Sequence, residues 1–218
     1  MTKRLAGWLT FVGALAALNY AGRFAFEEDA VGQADFFYRW DSFAGGAVQL
    51  ALMGGVLYWI VRGAPAARLL ALRRPRSWGR AAGWMFVVLV GILALGTVLN
   101  PLLHPGEEQG LVPEEWRPED AAPFAANLGL TALAVPVVEE LTFRGVGFSL
   151  LARYGRVVAI VGTGIIFGLA HGLVLALPIL VAFGIGLAWL RSRAGSVFPG
   201  MILHGTFNAV AVLVGVFL

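Results

Sequence analysis

Two glutamates and an arginine lie inside one otherwise apolar stretch of this chain, at Glu139, Glu140 and Arg144. A charged side chain near the centre of a bilayer costs on the order of 3 kcal/mol, so such residues usually face a protein interior or a wet cavity and mark function. Glu140 and Arg144 are four residues apart, which places them on one face of a helix where they can pair. Glu139 is rotated by about 100° from Glu140, and that pair does not explain it.

Two later apolar stretches each carry a histidine with a second residue one helical turn away. Phe167 precedes His171 by four residues, and His204 precedes Asn208 by four, so each pair shares a helical face. A carboxylate with an imidazole can activate water, and an imidazole with an amide can donate hydrogen bonds to a tetrahedral oxyanion. Together these groups indicate a hydrolase. Each motif alone also fits a structural charge cluster or a packing histidine.

The composition indicates the solvent in which these residues work. Of the 218 residues, 59% are hydrophobic and 13% are charged, whereas a soluble domain usually has about 25% charged residues. We therefore expect an all-α fold, a polytopic membrane helical bundle of about seven transmembrane helices. The sequence has no cysteine, which excludes disulfide bonds, thiolate metal ligands and a cysteine nucleophile.

Seven apolar runs are long enough to be membrane spans, since about 20 residues of helix cross the hydrocarbon layer. The first is expected to be a retained helix, because its apolar stretch runs to about Gly22 without a clean cleavage site for a signal peptide. The motifs fall on the last four runs, so we divide the chain into three N-terminal spans within 1–122 and a catalytic core within 123–218. The runs are residues 5–22, 43–61, 81–103, 123–150, 157–173, 174–190 and 195–218.

The charges of the connecting segments predict the orientation, because Lys and Arg are in excess on the cytoplasmic side. We expect the N-terminus in the cytoplasm and the C-terminus outside, with a cleft that opens toward the cytoplasmic half near Arg144 and Arg153. The segments assigned to the cytoplasm carry twelve basic residues and no acid: Lys3, Arg4, Arg62, Arg68, Arg73, Arg74, Arg76, Arg80, Arg153, Arg156, Arg191 and Arg193. The outer segments carry eleven acids and three basic residues: Glu27, Glu28, Asp29, Asp35, Asp41, Glu107, Glu108, Glu114, Glu115, Glu119 and Asp120, with Arg23, Arg39 and Arg117.

The basic balance of the chain is therefore a consequence of topology, and we expect no nucleic-acid partner. The lipid bilayer is the expected surrounding. Of the 16 basic residues only Lys3 is a lysine, and this arginine bias favours a prokaryotic cell membrane.

The three motifs resemble the signature of the CPBP family, which includes CAAX prenyl endopeptidases of the Ras-converting type and bacterial bacteriocin-processing or immunity proteins. The signature E-E-x-x-x-R, F-x-x-x-H and H-x-x-x-N occurs here in order, as Glu139 to Arg144, Phe167 to His171 and His204 to Asn208. The resemblance covers about residues 120–218, and no polar motif position departs from it. It implies an intramembrane protease of the glutamic type.

The resemblance also implies a role for each site residue. Glu139 would act as the general base on a water that His171 also holds. His204 and Asn208 would bind the developing oxyanion. The residues that would support the site structurally are Glu140, Arg144 and Phe167.

A metal-dependent mechanism is the alternative, because histidines and glutamates can hold zinc, here with Glu139, His171 and His204 as ligands. We favour a protease without a cofactor, since the sequence has no HExxH motif. His204 with Asn208 also fits a pair of hydrogen-bond donors better than a ligand pair.

Two functions from other classes fit the same residues. One is a catalytically idle membrane chaperone or immunity protein of the same fold, and the other is a small transporter with an ion or proton path. The sequence shows no internal repeat, which argues against the transporter. For the protease we expect a peptide or protein substrate with a membrane-associated segment. In a bacterial host, bacteriocin leaders, peptide pheromones or C-terminal sorting anchors are expected before prenylated CAAX proteins.

Overall fold

The apolar runs of the sequence all form helices in the computed structural model, which describes residues 3–25, 35–104, 113 and 115–217. No strand occurs among these residues. Seven helices carry the architecture: α1 (Lys3–Ala25), α2 (Trp40–Val61), α3 (Trp78–Leu103), α4 (Pro118–Tyr154), α5 (Arg156–Ala170), α6 (Leu177–Ala194) and α7 (Phe198–Phe217). Two single turns, Phe36–Tyr38 and Ala66–Leu69, lie in the connections.

Six of the seven helices are long and apolar enough to cross a membrane, and the shorter α5 is the exception. The all-α bundle that the sequence predicted is therefore confirmed. The fifth predicted span, residues 157–173, ends early because α5 stops at Ala170 and Gly172 adopts a left-handed conformation with φ of +70°. Fifteen residues of helix measure about 22 Å, which is less than the roughly 30 Å of hydrocarbon.

Helix α4 contains two stretches in which the backbone widens into a π-helix, Leu130–Ala134 and Leu141–Gly147. The six α-helical residues between them, Val135–Glu140, include both glutamates. Such wide turns are rare and often occur at functional sites. Pro136 explains part of this irregularity, because it has no N–H to donate to a preceding carbonyl.

Helices α5 and α6 pack against each other through glycines. A Cβ atom at Gly164 would lie 2.6 Å from the backbone nitrogen of Ile185, and one at Gly184 would lie 2.7 Å from the carbonyl oxygen of Gly164. Small residues let membrane helices approach closely and gain van der Waals contact. The close approach fixes the end of α5, which carries Phe167 and leads to His171.

Helix α1 is attached to the C-terminal helices by hydrogen bonds as well as by packing. Trp8 is fully buried, and its indole nitrogen donates to the carbonyl oxygen of Thr142 at 3.0 Å. Near the other end of α1, the Asn19 amide donates to the carbonyl oxygen of Ala170 at 2.6 Å. Helix α1 therefore braces both α4 and the end of α5.

The basic segments meet at one end of the bundle. Lys3, Arg62, Arg68 and Arg153, which come from three of these segments, line one cavity there. The prediction that Arg191 and Arg193 lie in a connecting segment is wrong, because both lie in α6, where Arg191 is only 7% exposed. Of the acids assigned to the outer segments, Glu27, Glu28, Asp29, Glu107, Glu108 and Glu114 lie outside the described residues.

Candidate active site

The imidazole of His204 lies between the two glutamates of α4. Its Nε2 atom is 3.6 Å from Oε2 of Glu139, and its Nδ1 atom is 3.5 Å from Oε1 of Glu140. His204 is 4% exposed and reaches the glutamates from α7. The structure therefore brings the first and third sequence motifs together at one point.

Glu140 and Arg144 form the ion pair that their spacing predicted, with 2.8 Å between Oε1 and Nη1, and both side chains are fully buried. The guanidinium also donates to the carbonyl oxygen of Gly184 at 3.0 Å and lies 4.2 Å above the ring of Phe167. These contacts join α4 to α5 and α6. On the other side of Glu140, Gly200 leaves room for its Oε2 atom, which a Cβ there would strike.

Glu139 differs from its neighbour in its surroundings. Its side chain is 16% exposed, whereas that of Glu140 is fully buried. The Oε2 atoms of both glutamates are buried and have no hydrogen-bond partner among the described residues, but only Glu140 has a partner for its other oxygen, in Arg144. A buried carboxylate oxygen without a partner is costly, so its presence requires an explanation. A role in binding water or substrate would supply one.

Glu139 and His171 line the same cavity, which has a volume of about 310 Å³. Helices α1, α2 and α4, the last residue of α5 and the turn after it form its wall, and Phe143 and Met53 contribute apolar surface. The cavity also has polar residues from the N-terminal helices, namely Asn19, Arg23 and Gln49. A space of this size can hold several waters or part of an extended peptide.

The proton on His171 can be placed from its contacts. Its Nδ1 atom lies 2.7 Å from the carbonyl oxygen of Phe167, one of the last carbonyls of α5, which lack a partner within the helix. A carbonyl can only accept, so Nδ1 donates, and in the neutral ring Nε2 is then the acceptor. The Nε2 atom of His171 is thereby left to accept a hydrogen bond from water.

Aromatic rings hold the two imidazoles in place. The ring of Phe167 contacts His171 and His204 edge to face, with centroid distances of 4.6 and 5.7 Å. Phe183 contacts His204 in the same manner at 5.4 Å. Phe167 thus supports both histidines, while Phe183 of α6 has a contact that no sequence motif indicated.

Asn208 is the one predicted site residue whose amide is engaged elsewhere. Its Nδ2 atom donates to the carbonyl oxygen of Thr131 at 3.1 Å, and neither Asn208 nor His204 lines the cavity of Glu139 and His171. In the π-helical stretch the partner of Thr131 would be the N–H five residues later, at Pro136, which has none. The amide of Asn208 therefore satisfies a carbonyl that Pro136 leaves without a donor.

The sequence motifs do not include the polar residues that α1 and α2 contribute to the cavity. Asn19 and Gln49 are uncharged polar residues inside spans that are otherwise largely apolar. The sequence signal for both residues is an amide side chain inside an apolar span, which marks a polar cavity in the same way as a charged residue does. Arg23 was assigned to an outer segment, but it lies in the last turn of α1 and lines the cavity.

The cavity lies in the half of the bundle opposite the basic segments. Asn19 and Arg23 belong to the last two turns of α1, and His171 follows the last residue of α5. Both helices begin at the basic end, because Lys3 and Arg156 are their first residues. The prediction of a cleft in the same half as the basic segments is therefore wrong.

The residues that could hold zinc do not converge as a ligand set. Within the described part of the chain, no three His, Asp or Glu side chains are placed to hold one metal ion. His204 approaches both glutamates, whereas His171 is oriented by Phe167 and faces the cavity. The donor geometry does not fit a metal site, and no step of the proposed reaction is assigned to one.

Residues 121–210 match the family model described as Type II CAAX prenyl endopeptidase Rce1-like. The match includes nearly all of α4, all of α5 and α6, and the part of α7 with His204 and Asn208. This segment is similar to the Rce1-like family. No curated protein and no solved structure gave a significant match.

The match covers less than half of the 218 residues, and the family it names is one of peptidases. The six long apolar helices agree with an integral membrane protein. All residues of the three sequence motifs fall inside the matched segment, which confirms the family resemblance. The division of the chain near residue 122 stays a prediction.

Proposed function

We propose that this protein is an intramembrane endopeptidase in which Glu139 activates the water that attacks the peptide bond. The observation that carries the proposal is the different surroundings of the two adjacent glutamates. Glu140 is neutralised by Arg144, whereas Glu139 faces a cavity that it shares with His171. A general base needs a carboxylate that water can reach, and only Glu139 meets that condition.

The proposed reaction uses each group in turn. A water in the cavity donates one proton to Glu139 and is oriented by the free Nε2 atom of His171. Its oxygen attacks the carbonyl carbon of the scissile bond, and the carbonyl oxygen becomes an oxyanion. Glu139 then returns the proton to the nitrogen of the leaving amine, so that the carbon–nitrogen bond breaks and the base is restored. His204 would donate a hydrogen bond to the oxyanion.

Asn208 enters the proposal as an oriented donor. Its side-chain nitrogen carries two hydrogens, and the bond to Thr131 uses one of them. The second hydrogen would be directed to an oxyanion when substrate lies between α4 and α7. This role needs substrate to extend beyond the cavity of Glu139.

Asn208→Ala is expected to affect both rate and stability. Loss of an oxyanion donor reduces the rate about 100-fold to 1,000-fold. Loss of the bond to Thr131 leaves a partly buried carbonyl without this donor and costs about 1 kcal/mol. Thermal unfolding in detergent and cleavage per folded molecule should be measured together. A loss of stability with an unchanged rate would restrict Asn208 to bracing α4 and α7.

The substrate class follows from the site's position in the membrane. A cavity between spans α1, α2 and α4 favours a peptide segment that is itself membrane-associated. The family description names CAAX prenyl endopeptidases. We propose that this protein, in a prokaryotic host, cleaves membrane-associated peptides such as bacteriocin leaders, peptide pheromones or sorting anchors. The N-terminus would be cytoplasmic and the C-terminus outside.

Cleavage by the purified protein is expected to survive exhaustive chelation, because the proposed base is a carboxylate and the proposed donors are His204 and Asn208. The test is a time course on a farnesylated CAAX peptide and on a peptide with a C-terminal apolar anchor, with and without EDTA. Loss of bound zinc together with activity, and recovery of both on adding zinc, would overturn the glutamate mechanism.

A further inference from the structure

A second cavity lies at the basic end of the bundle, away from Glu139. Its volume is about 760 Å³, and it is formed by the start of α1, the end of α2, residues 62–73 and the turn that ends α4. Seven of its lining residues are cationic and none is acidic. The cations are Lys3, Arg4, Arg62, Arg68, Arg73, Arg153 and Arg191.

Contacts with backbone carbonyls hold three of these arginines in place. Nε of Arg4 donates to Ile60, Nε of Arg73 donates to Gly195, and Nε of Arg191 donates to Arg144. A guanidinium has five N–H donors, so each of these side chains keeps further donors for another acceptor. The cavity therefore presents pre-oriented donors together with a high density of positive charge.

The remaining wall of the cavity is apolar. Trp59, Ile60, Leu69, Phe148 and Leu150 line it, and Trp59 is 60% exposed. Most of these residues come from helices that are long enough to span a membrane. Cations next to an apolar wall, at the end of membrane spans, suit a molecule with an anionic head and an apolar tail.

We propose that this cavity binds the phosphate headgroup of an anionic glycerophospholipid, with an acyl chain against the wall formed by Trp59 and Phe148. Arginine recognises phosphate oxygens through paired hydrogen bonds. Seven like charges in one cavity repel one another, and its lining residues include no acid that would compensate them. A bound anion relieves that repulsion, and basic pockets between membrane helices on the cytoplasmic side bind such headgroups.

The test compares two triple variants of the full chain. Arg62, Arg68 and Arg153 are exposed residues of the cavity, and their side chains form no hydrogen bond or ion pair within the described part of the chain. All three are replaced by Gln. The control replaces Arg74, Arg80 and Arg156 by Gln, because these exposed arginines lie at the same end and do not line the cavity. Arg191 is left unchanged, since it contacts Arg144.

Retention of phosphatidylglycerol by the purified protein in detergent is measured by native mass spectrometry, with phosphatidylcholine and inorganic phosphate as comparison arms. We expect the cavity triple to bind phosphatidylglycerol about tenfold more weakly or worse, while the control triple binds like wild type. Thermal unfolding without lipid verifies that both triples are folded. Equal weakening in both triples, equal binding of phosphatidylcholine, or displacement of the lipid by inorganic phosphate would overturn the proposal.

Discussion

Glu139→Gln is expected to abolish cleavage and to leave the helical bundle folded. The amide has nearly the shape of the carboxylate, but it cannot accept a proton from water. Removal of a general base lowers the rate roughly 100-fold or more. The fold should persist because Glu139 has no arginine partner, and its Oε2 atom forms no hydrogen bond within the described residues.

Mass spectrometry of peptide termini can test this variant even before a substrate is identified. Membranes from host cells that express the wild-type chain or Glu139→Gln are compared. New termini should appear with the wild-type chain and be lost with the variant. Glu115→Gln is the matched control, because the side chain of Glu115 is 72% exposed and lies outside the site. The same new termini in Glu139→Gln cells would remove Glu139 from the reaction, whereas the absence of new termini with the wild-type chain would favour a binding protein.

Glu140→Gln is expected to destabilise the protein severely. The change leaves Arg144 as a fully buried cation without its partner at 2.8 Å. Removing one member of a buried ion pair typically costs about 3–5 kcal/mol. We expect a low yield and a clearly lower temperature of thermal unfolding in detergent. The loss should exceed that of Glu139→Gln, although the two residues are adjacent.

A double variant separates the charge effect from packing. Glu140→Leu combined with Arg144→Met removes both charges, and replacing a buried pair by apolar side chains is often neutral or stabilising. The double variant should regain part of the stability that Glu140→Gln loses. It should not regain full stability, because the bond from Arg144 to the Gly184 carbonyl is also lost. If Glu140→Gln alone unfolds at the wild-type temperature, the structural role of Glu140 is contradicted.

The pairing of Glu140 with Arg144 could be predicted because it depends only on helical spacing. The same rule separated Glu139 from its neighbour, and the apolar runs located the helices within a few residues. These are local properties, in which the distance along the chain sets the geometry. The length of α5 was harder to predict. The helix ends beside Gly172, which has a positive φ and packs so closely on Asn19 of α1 that a Cβ atom would collide with it.

The position of His204 between two carboxylates could not be predicted from spacing. It depends on how α7 packs on α4, and that packing depends on small residues such as Gly200 and Gly205. The bond from Asn208 to Thr131 depends in addition on a π-helical stretch beside Pro136. A π-helical stretch produces no regular spacing of apolar residues by which the sequence could indicate it.

Arg191 shows why counting charges at helix ends misplaces some residues. It was assigned to a connecting segment, but its side chain is buried and its guanidinium lies 5.1 Å from the ring centroid of Phe148. Long arginine side chains can bury their stem while the charged head finds a polar partner. For Arg191 that partner is the carbonyl oxygen of Arg144.

The most direct test of the central claim measures Glu139→Gln and Glu140→Gln side by side, on one reconstituted substrate identified from the new termini. Thermal unfolding and cleavage per folded molecule are recorded for both variants and for wild type. We predict that Glu139→Gln has the unfolding temperature of the wild type but does not cleave the substrate, while Glu140→Gln unfolds at a clearly lower temperature. A stable, inactive Glu140→Gln together with an unfolded Glu139→Gln would show that the two carboxylates have been assigned the wrong way round.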